Sequence, residues 1–265
     1  MPLETSLTLA AGWALMALVM ALLWLLQRRT GDAGIVDVGW SAGVGLLGVA
    51  LAITGDGDPW RRLILGIGAG AWGLRLAAYL LVDRVLRGEE DGRYVALREA
   101  WGASAQSKLF WFYQAQAISI PLFALPFAAV SANASRPLGL LDALGVLVFL
   151  VAFAGESLAD RQLAAFRSDP ANRGKTCRAG LWRYSRHPNY FFEWVHWFAY
   201  LALAWGSPTW WLALSGPVVM LVFLYRVTGI PYTEMQALRS RGDDYRAYQR
   251  TTSAFVPWFP QEDAS

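Results

Sequence analysis

"PNYFFEWVHWFAYLALAW", Pro188 to Trp205, sets a carboxylate at Glu193 and an imidazole at His196 inside an otherwise apolar run. Its length decides the fold class. A helix needs about 20 predominantly apolar residues to cross a hydrocarbon core roughly 30 Å thick. Six further runs of this kind accompany it: Ser6 to Leu26, Gly34 to Thr54, Leu63 to Val82, Leu109 to Ser131, Leu138 to Leu158 and Thr209 to Thr228. The 265-residue chain is 55% hydrophobic and only 16% charged, with 14 tryptophans, which no water-soluble surface requires. The reading is an all-α integral membrane bundle of seven transmembrane helices.

Working outward, the loops fix an orientation. With the N-terminus outside, 19 of the 23 Lys and Arg fall on the cytoplasmic side; Arg61, Arg62 and Arg136 fall outside and Arg75 lies within a helix. Such asymmetry predicts an odd number of crossings and a cytoplasmic C-terminus. The net charge of +3 is then a topology signal, and no nucleic-acid partner is needed to explain it. Glu4, not a basic residue, precedes the first run, which reads as a retained helix. Cys177 stands alone, so an internal disulfide and a CxxC metal site are both excluded, and no metal is expected. The outer connections "GDGDP", "SANASRP" and "GSP" are turn chemistry, which leaves function to the cytoplasmic side. No internal repeat or second domain is evident. "GAGAWG", Gly68 to Gly73, matches a dinucleotide fingerprint, but that motif works between a strand and a helix. Inside an apolar helix it reads as close helix packing, as does "GWSAG", Gly39 to Gly43.

Ionisable residues within spans are costly and usually face the bundle interior. Here they are Asp37, Arg75, Asp142, Glu156, Glu193 and His196; Asp142, near an outer boundary, reads as interfacial. In "GESLADRQLAAFR", Glu156, Asp160 and Arg167 are four and seven residues apart and share one helix face. A basic, glycine-punctuated segment, "GKTCRAGLWRYSRHPNY", then leads into a helix opened by Pro188, a residue suited to the first helical position. Helix N-termini attract phosphate, and Lys175, Arg178 and Arg186 stand nearby. Asn189, Glu193 and His196 can share a face turned into the bundle. A polar ligand that carries hydroxyls and an anionic group would use that face; a dinucleotide and S-adenosylmethionine are both ligands of that kind.

"GLWRYSRHPNYFFEW" (Gly180 to Trp194), "ADRQLAAFR" (Ala159 to Arg167) and "YRAYQRTTSAFVPWFP" (Tyr245 to Pro260) resemble the steroid 5-alpha-reductase family of membrane enzymes, and its bacterial branch most. The resemblance covers most of the chain and is most specific in the last 110 or so residues. It implies seven helices, NADPH bound from the cytoplasmic side and reduction of a carbon–carbon double bond conjugated to a ketone. It also implies residues 1–135 as the half with the substrate pocket and 136–265 as the half that binds NADPH. Carried over by position, Asp160 and Arg167 would hold the cofactor, Lys175 and Arg178 its phosphates, and Asn189 and Glu193 its other groups. Tyr184, Arg186, His187 and Glu156 would stand beside them, with Arg84 at the inner end of the third helix, and "GEEDGRY", Gly88 to Tyr94, as a closing loop whose Arg93 would also meet the cofactor. Animal members carry a glutamate in the second helix; here the candidate is Asp37, with Tyr79 or Tyr94 as the partnering tyrosine and Trp40 lining the substrate pocket. Glu156 and Glu234 replace an asparagine and a histidine of those members. The expected partners are a lipid-soluble substrate and membrane lipid, in a bacterial cytoplasmic membrane. The C-terminal half is also similar to S-adenosylmethionine-dependent membrane methyltransferases such as isoprenylcysteine carboxyl methyltransferase, which share R-H-P-x-Y followed by a glutamate. Those tend to show paired glutamates after the last helix, where this chain has the single Glu234.

Overall fold

The computed structural model describes residues 1–86, 90–135, 137–227 and 229–262, with the backbone alone at Arg84. Nine α-helices run through the described residues: α1 (Leu3–Thr30), α2 (Ile35–Thr54), α3 (Pro59–Leu80), α4 (Gly92–Trp101), α5 (Ala105–Ser131), α6 (Leu140–Ser168), α7 (Pro188–Ala204), α8 (Ser215–Val222) and α9 (Ile230–Thr251). Short π-helical segments, Leu81–Val85 and Phe223–Val227, extend α3 and α8.

Six helical stretches among the described residues are long and apolar enough to cross a membrane: Leu3–Thr30, Ile35–Thr54, Pro59–Asp83, Gly92–Ser131, Leu140–Ser168 and Trp210–Thr251. The protein is an all-helical integral membrane protein with six such stretches, where the sequence predicts seven. The difference is α7, which has 17 residues, the short limit for a crossing, and carries Glu193 and His196.

The chain divides into two compact units. The first comprises Met1–Ala143 and Tyr200–Gly216, the second Leu144–Ala199 and Pro217–Ser265. Within the first, small residues let α2 and α3 touch backbone to backbone. A Cβ on Gly73 would lie 2.7 Å from Gly45 Cα and 2.9 Å from the Ser41 carbonyl oxygen, and one on Gly45 would lie 2.9 Å from the Ala69 carbonyl oxygen. The last glycine of "GAGAWG" is therefore a helix contact. Gly73→Val should lower the thermal midpoint in detergent by the equivalent of about 1–3 kcal/mol or more, because backbone cannot yield as a side chain can. Gly70→Ala, whose added Cβ would meet only the Val49 side chain at 3.2 Å, should be tolerated.

A buried ion pair closes the same unit. Arg61 Nε and Nη2 donate to the two carboxylate oxygens of Asp142 at 2.7 and 3.1 Å, and Nη2 also donates to the Pro137 carbonyl at 3.0 Å. Arg61 is 0% and Asp142 3% exposed. Asp142 is thus no interfacial residue; a guanidinium fork from α3 meets both of its oxygens away from water. The buried Asn133 side chain donates to the carbonyls of Leu203 and Trp205 at 2.8 and 3.2 Å and satisfies the C-terminal end of α7.

In the second unit, Gly155 of α6 receives the Phe192 ring of α7 so closely that a Cβ there would lie 2.5 Å from it. The helical turn Gly180–Arg183 is docked on α6 by Trp182 Nε1, which donates to the Ala159 carbonyl at 2.9 Å, and by the Leu181 amide, which donates to Gln162 Oε1 at 2.9 Å. Gly242, at φ 53°, bends α9 into two segments.

Candidate functional site

Two polar clusters are built, one in each unit. In the first unit, Asp37 lies in the first turn of α2 and Tyr94 in the first turn of α4. Tyr94, 2% exposed, donates its hydroxyl to Asp37 Oδ1 at 2.9 Å. Arg93 Nη2 donates to Asp37 Oδ2 at 2.8 Å and to Asp91 Oδ2 at 3.0 Å, so one guanidinium bridges two carboxylates. Asp91 also caps α4 by accepting from the Arg93 amide at 2.9 Å, which aims Arg93 and Tyr94 together.

The turn before α2 is held just as firmly. Glu90 accepts from the Ala33 amide at 2.8 Å and from Arg98 at 3.1 Å, while Arg98 also donates to the Gly31 carbonyl at 2.8 Å. Tyr113 donates to the Ala33 carbonyl at 2.9 Å. These bonds dock α4 and α5 on the α1–α2 turn and preorganise the dyad. One turn further along α2, the Trp40 indole N–H donates to Ser119 at 2.9 Å, and its ring meets Phe123 and Trp72 edge-on at 5.1 and 6.3 Å. That is an apolar wall in which the Trp40 indole donor is satisfied. Tyr79 is half-buried on α3. Gly88 and Glu89 of the expected closing loop lie outside the described residues, as does the Arg84 side chain.

In the second unit, α6 carries Glu156 and Asp160 and α7 carries Asn189 and Glu193, and Asn189 links the two helices at Asp160. The three carboxylates are 4%, 4% and 7% exposed. Asn189 donates to Asp160 Oδ1 at 3.2 Å, and Trp197 Nε1 donates to Glu193 Oε1 at 3.2 Å. His196 Nδ1 stands 3.9 Å from the same oxygen. Glu193 is therefore enclosed by protein.

The basic residues of this unit separate into two groups. Arg178 donates to Asp244 Oδ1 at 2.8 Å and to the Asp244 carbonyl at 2.7 Å, and lies over the Tyr248 ring. Arg186 Nε donates to Glu234 Oε1 at 2.6 Å, and its Nη1 donates to the carbonyls of Gln249 and Thr252. His187 Nε2 lies 3.3 Å from the same Glu234 oxygen and stacks on Tyr190 at 5.4 Å. Burial holds the His187 imidazole below its ordinary pKa, against the opposing pull of Glu234. These three residues engage α9 and its continuation. Arg167, Arg173 and Lys175 are exposed cations on the α6 end and the loop that follows. Tyr184 is exposed at 37%, and its carbonyl accepts from the Trp258 amide.

Nothing local in the sequence marks Glu234 as the anchor of Arg186 and His187, or Asp244 as that of Arg178, because those partners are tens of residues apart. Among the described residues no group of three or more His, Cys, Asp or Glu could hold a metal ion. The donor set does suit an organic ligand. Buried carboxylates and an amide can accept from ribose hydroxyls and a carboxamide, and exposed Arg167, Arg173 and Lys175 can meet phosphates.

These observations define an all-helical integral membrane protein with a tyrosine–carboxylate pair in one unit and a buried acidic row in the other. The chain belongs to DUF1295, a family of proteins of unknown function, whose model matches residues 23–252. It is similar to an uncharacterized protein of Schizosaccharomyces pombe, at 28% identity over 224 residues and 74% of this chain. The chain spans 63% of that relative's length. No solved structure matches it.

Proposed function

We propose that this protein is an NADPH-dependent reductase of a carbon–carbon double bond conjugated to a ketone in a lipid-soluble, steroid-like substrate. In this reading α7 is the seventh crossing, the N-terminus is outside, the C-terminus is cytoplasmic, and the membrane is a bacterial inner membrane. The observation that carries the reading is the buried row of Glu156, Asp160, Asn189 and Glu193 on α6 and α7. A membrane protein keeps such a row only for a polar ligand or partner. The motif resemblance of the last 110 or so residues supports NADPH as that ligand. Asn189, Asp160 and Glu193 bind its ribose and carboxamide, with Lys175, Arg173 and Arg167 on its phosphates.

The cofactor, when bound, supplies a hydride to the β-carbon of the enone. The chain's own task is the ketone oxygen, where negative charge develops. Tyr94 turns its proton from Asp37 to that oxygen, and Arg93 keeps Asp37 compensated meanwhile. Charge stabilisation of this kind in a water-poor site is usually the largest catalytic contribution. The α-carbon then takes a proton from water as the enolate collapses, so that hydride and proton together saturate the double bond. Trp40, backed edge-on by the buried Trp72 and Phe123, lines the substrate pocket in this reading.

Thermal denaturation of the purified protein with added NADPH or S-adenosylmethionine tests the cofactor. A ligand at 100 times its Kd adds about 2.7 kcal/mol to the folded state. NADPH should raise the midpoint, and Asp160→Asn with Glu193→Gln should remove that shift. A rise with S-adenosylmethionine alone would replace this reading by the methyltransferase one.

A further inference from the structure

The segment after α9 is held in place by backbone while it shows apolar side chains outward. The Arg186 amide donates to the Ser253 carbonyl at 2.8 Å, the Trp258 amide to the Tyr184 carbonyl at 2.8 Å, and the Gln261 amide to the Thr251 carbonyl at 2.8 Å. Ser185 Oγ donates to the Phe255 carbonyl at 2.8 Å. A segment so fixed would normally turn its large apolar groups inward, and Phe255, 5% exposed, does so. Trp258 and Phe259 do not: they are 68% and 75% exposed, and Val256 is 52% exposed.

Ring contacts set the level of this hook. Phe255 meets Phe191 at 5.8 Å and Trp194 at 5.6 Å in the first two turns of α7, and Tyr225 at 5.6 Å in the π-helical segment that extends α8. The hook therefore stands where apolar helices begin and end. Its neighbours there are Tyr184, whose ring meets Phe259 at 6.2 Å, and the exposed cations Arg183 and Arg226. Exposed aromatics beside arginines at a helix end match the lipid–water interface, where amphipathic rings and basic groups concentrate.

We propose that residues 254–260 are an interfacial anchor that beds Trp258 and Phe259 into the headgroup–acyl boundary of the leaflet, with Arg183 and Arg226 on lipid phosphates. The anchor fastens the α9 cap, and with it the Arg186–Glu234 pair, to the membrane independently of any cofactor.

The test uses the full chain with Cys177→Ser and Trp258→Cys, labelled with an environment-sensitive nitrobenzoxadiazole and reconstituted in phosphatidylcholine–phosphatidylglycerol nanodiscs. Should that background fail to fold, native Cys177, 3% exposed, is left in place. Blue-shifted emission, quenched several-fold more by a spin label near the headgroups than by aqueous iodide, is the expected result. The same label at Ser240, exposed on α9, should be quenched by iodide. Iodide quenching at 258 as strong as at 240 would overturn the proposal, as would protection from both quenchers, which would mean that protein covers the hook.

Discussion

Tyr94→Phe is expected to lower turnover of a 3-oxo-4-ene steroid by about 10²–10³-fold, the loss seen when one preorganised donor to a developing oxyanion is removed. The change deletes one hydroxyl and leaves the ring in its buried site against Phe112, so the fold should survive. NADPH-induced stabilisation should be unchanged, because Tyr94 and the α6–α7 row belong to different units. Asp37→Asn is the companion variant. It removes the charge that Arg93 and Tyr94 both address, and turnover should fall at least as far. Steady-state kinetics beside NADPH melting curves check both. If turnover and the NADPH shift fall together in Tyr94→Phe, the assignment of the ketone to Tyr94 is wrong. If no enone is reduced by the wild type while NADPH still binds, the substrate class is wrong and the cofactor assignment stands.

Asp142→Ala should destabilise the protein by about 3–5 kcal/mol, since it strands a fully buried arginine. For a unit of this size that corresponds to a midpoint shift on the order of 10 °C. The control is the double replacement Arg61→Met with Asp142→Leu, which removes both charges and should recover most of the loss. A single variant that melts like the wild type would show that the pair is dispensable. Activity per folded molecule should be unaffected in either case, because the proposed mechanism gives neither residue a role.

Asp142 also shows where reading along the chain falls short. Its place near a span end matched an interfacial residue, and only the approach of Arg61, 81 positions away, makes it a core residue. Arg178, Arg186 and His187 were legible as polar groups at a ligand-facing helix start, yet their partners Asp244 and Glu234 come from α9. Asp37 was legible as a candidate because an acid in a span is costly, and Tyr94 only through the family resemblance. Their 2.9 Å bond, and the diversion of Arg93 to Asp37 and Asp91, depend on how the α4 cap docks on the α1–α2 turn.

The amino-acid order by itself determined the helical, membrane-embedded character of this protein and the helix faces that carry Glu156 with Asp160 and Asn189 with Glu193. Both follow from hydrocarbon thickness and the 3.6-residue helical period, which act on neighbours in sequence. Only tertiary structure decided which charges are neutralised, where α2 meets α3 through bare backbone, and which aromatic residues stay exposed. Ion pairs and packing act over a few ångströms between residues that the chain itself holds far apart, and folding alone brings them together.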